Sequence, residues 1–224
     1  MALTKITAKI QPGLWAAFSK QTDALFLKRA AFLNHMILIE TPNLEDDLDG
    51  RVLSTRAKRH IAGELKRHGA KAVNIEVEQA TANALNAVVE RSNIVRDAFV
   101  NRLLVFLRAS NDLLNNLEIP KMVDDRRLGS GLESMPTSPL KAMEAARDDP
   151  LFYIRNFLNE HEKLGVYSVA LPRKLDWLAC YLDDKEVPGT KAYNEEQSNF
   201  EEMFSLLETD ALKKPAAGKR GAKK

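Results

Sequence analysis

Lys5, Thr7 and Lys9 occupy alternate positions of "KITAKI", and Asn74, Glu76 and Glu78 alternate in the same way in "VNIEVE". With a period of two, each set lies on one face of an extended strand. Ile6, Ala8 and Ile10, or Val73, Ile75 and Val77, take the other face. A row of ammonium, hydroxyl and carboxylate groups on an apolar-backed strand is equipped for hydrogen bonding to base edges. Lysine donates to guanine O6 and N7, threonine bonds bases or touches a thymine methyl, and glutamate accepts from cytosine N4. The same residues admit a second outcome, in which Lys5 and Lys9 pair across a two-stranded ribbon with Glu76 or Glu78. Such a contact is worth about 0.2–1 kcal/mol and reads nothing.

A second set of candidates is cationic. In "LSTRAKRHIAGELKRHG", Ser54 is placed to cap a helix and Gly69 to stop it. Ala57, Ile61 and Leu65 form its apolar stripe, with Arg56, Lys58, Arg59, Lys66 and Arg67 largely opposite. This face either contacts phosphate or is a solvated surface. His60, Glu64 and His68 share one stripe, but the two imidazoles lie about 12 Å apart along the axis, too far for one ion, so no metal is expected. No glycine-rich phosphate loop, paired Cys or His cluster, or nucleophile with a recognisable signature is present, and the chain reads as a non-enzyme without a cofactor. The single cysteine, Cys180, lies between Trp177 and Tyr181 and reads as a small buried hydrophobe.

The elements that must carry these residues follow from periodicity. Residues 73–78 alternate as a strand, Ala82, Leu85, Val88 and Val89 recur at helical spacing, and "RSNIVRDAFVNRLLVFL" supplies a second helix after Ser92 and Asn93, read as its N-cap. That second helix carries Ile94, Val95, Ala98, Phe99, Leu103, Leu104, Phe106 and Leu107, an apolar face too wide for one partner. The N-terminus repeats the order: strand 5–10, Pro12 in a first turn, a stripe of Leu14, Trp15, Phe18 and Leu25, then a helix expected to end near Pro42. Aligning Lys28-Arg29-Ala30-Ala31 on Arg96-Asp97-Ala98-Phe99 gives an offset of 68 residues and leaves the strands one residue out of phase, implying that one turn differs in length.

Beyond this pair, 119–137 is rich in Gly, Ser and Pro and reads as a linker. Helices of roughly 139–148 and 150–164 follow, then a faint third strand-helix-helix copy in "VYSVALPRKLDWLACYLDD" and a final acidic helix. Its outward positions, Val166, Ser168 and Ala170, hold no cation, so 138–212 is expected to serve oligomerisation or a protein partner. The tail 213–224, "KKPAAGKRGAKK", is basic and expected to be disordered. Of the 224 residues 45% are hydrophobic and 29% charged, with a formal net charge of +2. No segment approaches the roughly 20 apolar residues of a membrane span, and "MALTKITAKIQPG" lacks a leader pattern, so a cytoplasmic location is expected.

Strand, helix, tight turn, helix, with "S-x-x-V-R-D-A-F" opening the second helix, resembles the ribbon-helix-helix DNA-binding superfamily of the Arc and methionine repressors. Residues 72–108 and 4–40 carry the likeness, with the basic helix 54–68 between them. The resemblance implies a mainly α fold in which 1–118 forms an intramolecular pseudo-dimer with a short antiparallel ribbon, followed by a helical C-terminal region. It further implies Lys5, Thr7, Lys9 and Asn74 as base readers and the second-helix N-terminus, at Ser92 and Asn93, as a phosphate contact; Arg56, Lys58 and Arg59 are further phosphate candidates on the charge of their helix face. The expected role is a sequence-specific binder of double-stranded DNA, a transcriptional repressor. A plasmid or conjugation accessory protein at an origin is one alternative, and an antitoxin-like or scaffold interaction module another.

Overall fold

The computed structural model describes residues 2–119, 138–161, 164–171, 173–196 and 198. Most of the expected linker, the end of the acidic helix and the basic tail lie outside them. Alternation in the two short runs produces β1 (Leu3–Ile10) and β2 (Lys71–Glu78), which pair antiparallel with Lys5 opposite Glu76, Thr7 opposite Asn74 and Lys9 opposite Ala72. β1 leads into α1 (Pro12–Ala24) and α2 (Arg29–Leu48), and β2 into α4 (Gln79–Arg91) and α5 (Arg96–Arg108), after which comes the short α6 (Asn111–Asn116). The basic segment forms α3 (Thr55–Arg67), capped by the Ser54 hydroxyl accepting from Ala57 N at 3.0 Å. After it, Gly69 takes a left-handed φ of +70°, which admits glycine without strain.

The two strand-helix-helix units share one internal spacing up to the start of the second helix, and the expected offset of 68 is one residue too long. Thr7 and Asn74 are 67 residues apart, and this spacing also relates Pro12 to Gln79, Phe26 to Asn93 and Arg29 to Arg96. No turn differs in length. The strand phases agree, because Ile10 corresponds to Val77 and Ala8 to Ile75, all buried.

Packing is crosswise. The inner face of β1 meets α4 and α5, β2 meets α2, and α2 crosses α4. Asn101 of α5 accepts from Gln11 N at 3.0 Å and donates to Lys9 O at 2.7 Å, while Asn34 of α2 accepts from Glu78 N at 2.8 Å. Asn34 and Asn101 are counterparts at the same spacing, as are Gln11 and Glu78, so each unit closes the end of the other's strand. The wide apolar face of α5 is covered by β1, α1, α3 and a 3-10 helix at Arg173–Leu178, and Phe99, Val100, Leu103 and Leu104 are fully buried.

Several local expectations are corrected. α2 does not end at Pro42 but runs to Leu48, where Asp49 adopts φ +48°. The proline deprives only the Leu38 carbonyl of its donor, on a turn where Leu38 is exposed to water, while Thr41 Oγ1 and Asn43 Nδ2 bond the flanking carbonyls of Ile37 and Ile39. Ser92 and Asn93 do not start α5. Ser92 caps the end of α4, Asn93 is left-handed at φ +54°, and Val95 precedes the first helical residue. Leu25, placed on the α1 stripe, is exposed because it caps that helix.

The third copy has no strand at 166–171. Gly165 and Ser168 close a turn on themselves, with Gly165 N on Ser168 Oγ at 2.8 Å and Val169 N on Gly165 O at 2.9 Å. The carbonyls of Val166 and Val169 are taken by the buried Arg102 guanidinium. Val166, expected to face outward, is therefore buried. α7 (Pro139–Asp148) and α8 (Phe152–His161) belong to a compact unit that extends to Leu182. Its attachment is polar as well as apolar. Leu151, Ile154 and Leu158 are buried, Arg155 bridges Glu40 and Asp149, Tyr167 Oη donates to Glu40 at 3.0 Å, and Tyr167 N donates to Asp47 at 2.6 Å. A Cβ at Gly165 would stand 1.7 Å from an Asp47 oxygen, so a larger residue there would displace the carboxylate that accepts from Tyr167 N. Cys180 is buried as expected, which pushes its thiol up to about 11. The second unit begins at Asp183, where Asp183 and Glu186 form a capping box, and 191–196 is helical.

Burial raises the Glu40 carboxyl above its ordinary 4.5, and this outweighs the Arg155 guanidinium and the Tyr167 hydroxyl, which act the other way. The folded chain therefore holds this proton to higher pH than the unfolded chain. The contribution to stability is full below 4.5 and is lost as pH rises through the raised value. Glu40→Gln removes this loss, so its stability relative to the parent is expected to climb with pH above 4.5 in urea titrations. A difference that stays flat or falls would contradict a raised carboxyl.

Candidate nucleic-acid interface

Period two and the Thr7–Asn74 register place Lys5, Thr7, Lys9, Ala72, Asn74 and Glu76 on the outer ribbon face, all exposed, while Ile6, Ala8, Ile10, Ile75 and Val77 are buried beneath. The four expected base readers, Lys5, Thr7, Lys9 and Asn74, therefore share one surface. Thr7 Oγ1 donates to Asn74 Oδ1 at 2.9 Å at its centre. Among the described residues no ion pair joins Lys5 or Lys9 to Glu76 or Glu78, leaving both ammonium groups free to donate. Glu78 is only half-buried at the ribbon's end.

The backbone beneath is held by α5. Arg96 Nη2 donates to Thr7 O at 2.7 Å, two residues before the Lys9 carbonyl held by Asn101. Arg29, the counterpart of Arg96, instead meets Asp23 at 2.8 Å and lies over the Trp15 ring. Asp23 thus belongs to the last turn of α1 and neutralises a cation near the start of α2.

The expected phosphate contacts are placed differently from one another. Ser92 is buried, and Asn93 turns inward, donating to Leu53 O at 2.7 Å and accepting from Lys58 Nζ at 2.8 Å. Lys58 is half-buried, whereas Arg56 and Arg59 are exposed. Lys66 is also exposed, Arg67 pairs with Glu64 at 2.8 Å, and His68 stacks on Trp177. The first turns of α2 and α5, after Lys28 and Val95, receive no side-chain cap; in α5 the Ala98 N–H bonds Val95 O at 3.0 Å and Asp97 adds a carboxylate, so the first turn of α2 is the better placed of the two for an anion.

Sequence reasoning missed Asn34, Asn101 and Arg96, which position the ribbon. The signal for the asparagines was their equivalence within the repeat, hidden by an offset one residue too long. Among the described residues no group of three or more His, Cys, Asp or Glu side chains is arranged to hold a metal ion, and no helix is long and apolar enough to cross a membrane. No protein-family model, curated protein or solved structure matches the chain.

Proposed function

We propose that the two strand-helix-helix units are a ribbon-helix-helix pseudo-dimer within one chain, and that the protein binds double-stranded DNA sequence-specifically as a transcriptional repressor. One observation carries this reading: an antiparallel ribbon presents Lys5, Thr7, Lys9 and Asn74 together on a solvent face braced from behind. A two-stranded ribbon fits the roughly 12 Å major groove and offers alternate side chains to base edges. The uncapped first turn of α2 would meet phosphate, with Arg56 and Arg59 adding cations.

The first test is retention of fragmented genomic DNA from the source organism at about 150 mM salt, where weak nonspecific contacts are reduced. Enrichment upstream of the protein's own gene is expected. Enrichment at a transfer or replication origin would instead assign an accessory factor of the same binding chemistry. If no fragment is enriched, the DNA reading fails. A protein-interaction module is the second reading, favoured by Leu140 and Met143, which are 78% and 69% exposed on α7.

A further inference from the structure

The spacing that relates the two units also fixes the symmetry of the ribbon. Thr7 and Asn74 are counterparts at 67 residues and are also directly opposed, so the approximate two-fold axis passes between them. Under that axis Lys5 exchanges with Ala72, and Lys9 with Glu76. Two identical chains would present the same side chains on either side of the axis and read an inverted repeat. This ribbon presents Lys5 beside Glu76 at one end and Lys9 beside Ala72 at the other. All four are exposed, and no ion pair among the described residues neutralises them.

We infer that the DNA target is a non-palindromic duplex site bound in a single orientation, one half met by Lys5 and Glu76 and the other by Lys9 and Ala72. This rests on the DNA-binding reading above. The chemistry of the halves differs in kind. Glu76 accepts from a cytosine N4 amino group and finds no donor on guanine O6 or N7, whereas Lys9 at the equivalent place donates to guanine. Ala72 offers only a methyl contact to thymine, where Lys5 offers a charge. A site inverted about its centre therefore sets Glu76 against acceptors and Lys9 against donors.

The test is selection of bound duplexes from a randomised pool with the full chain, followed by affinity measurement on designed sites. The expected consensus lacks dyad symmetry, and inverted repeats of either half bind at least roughly tenfold more weakly than the selected site, in line with the cost of a mismatched base pair. Glu76→Lys, and separately Glu76→Gln, are expected to change base preference in one half alone. The double change Ala72→Lys with Glu76→Lys should make the two halves alike outside the centre. A palindromic consensus for the parent chain would overturn the inference and leave DNA binding intact. Failure to retain any duplex would overturn both together, and changed preference in both halves with Glu76→Lys would overturn the assignment of halves.

Discussion

Alanine at Lys5, Thr7 and Lys9 together is expected to lower affinity for the enriched duplex by about a thousandfold or more, with an unchanged circular dichroism spectrum. A well-formed side-chain contact to a base carries about 1–3 kcal/mol of discrimination, so three such losses reach the roughly 4 kcal/mol that a thousandfold represents. The fold has little to lose. All three side chains are exposed, and the hydrogen bond forfeited is the solvent-facing one from Thr7 to Asn74. Alanine at Arg56 and Arg59 makes the useful contrast. If those cations meet phosphate, affinity falls evenly across sequences and the salt dependence softens by about one unit of slope for each. Filter binding over a salt series separates the two patterns. Unchanged affinity in the triple variant would remove the ribbon from the binding surface and leave the cations of α3 as the next place to look.

The sequence carried the ribbon and the order of helices clearly, because period two and period 3.6 are written into Ile6, Ala8, Ile10 and into Ala57, Ile61, Leu65. What it did not carry were contacts made across the chain. Asn93 has the composition of an N-cap, yet Leu53 O and Lys58 Nζ compete for its side chain, and a left-handed backbone there ends one helix before the next begins. Pro42 signals a helix end, but the signal is local and only one carbonyl on a solvated turn is affected. "VYSVAL" alternates like a strand and still folds as a turn, because Arg102 claims its Val166 and Val169 carbonyls and the Gly165–Ser168 hydrogen bonds close the backbone on itself. Arg102 itself stands at helical spacing from Ala98, Phe99 and Phe106 on the buried face of α5, but its charge reads as solvent-facing and its carbonyl partners lie far along the chain. Tertiary partners of polar side chains decided each of these cases.

Asn101→Ala is expected to destabilise the fold by about 2–4 kcal/mol. The side chain is 0% exposed and holds three backbone groups: Gln11 N–H at 3.0 Å, Lys9 C=O at 2.7 Å and Asp97 C=O at 2.7 Å. The first two belong to the end of β1, where the chain leaves the ribbon, and the amide that serves them is itself shut off from water. Each unpaired buried group costs about 1–3 kcal/mol. Asn34→Ala is the internal comparison, since Asn34 is the counterpart of Asn101 but is half-buried and closes the end of β2 through a single bond to Glu78 N. Water replaces a half-exposed partner, so this change should cost about 1 kcal/mol or less. Urea unfolding of both variants at neutral pH checks the difference. Equal losses would mean that water reaches Asn101, and that the end of β1 is held by apolar packing of Ile10 alone. A large gap between them would instead make the Lys9 backbone the most firmly fixed point of the ribbon. Its side chain would then be aimed by α5 of the opposite unit, not by the strand that bears it.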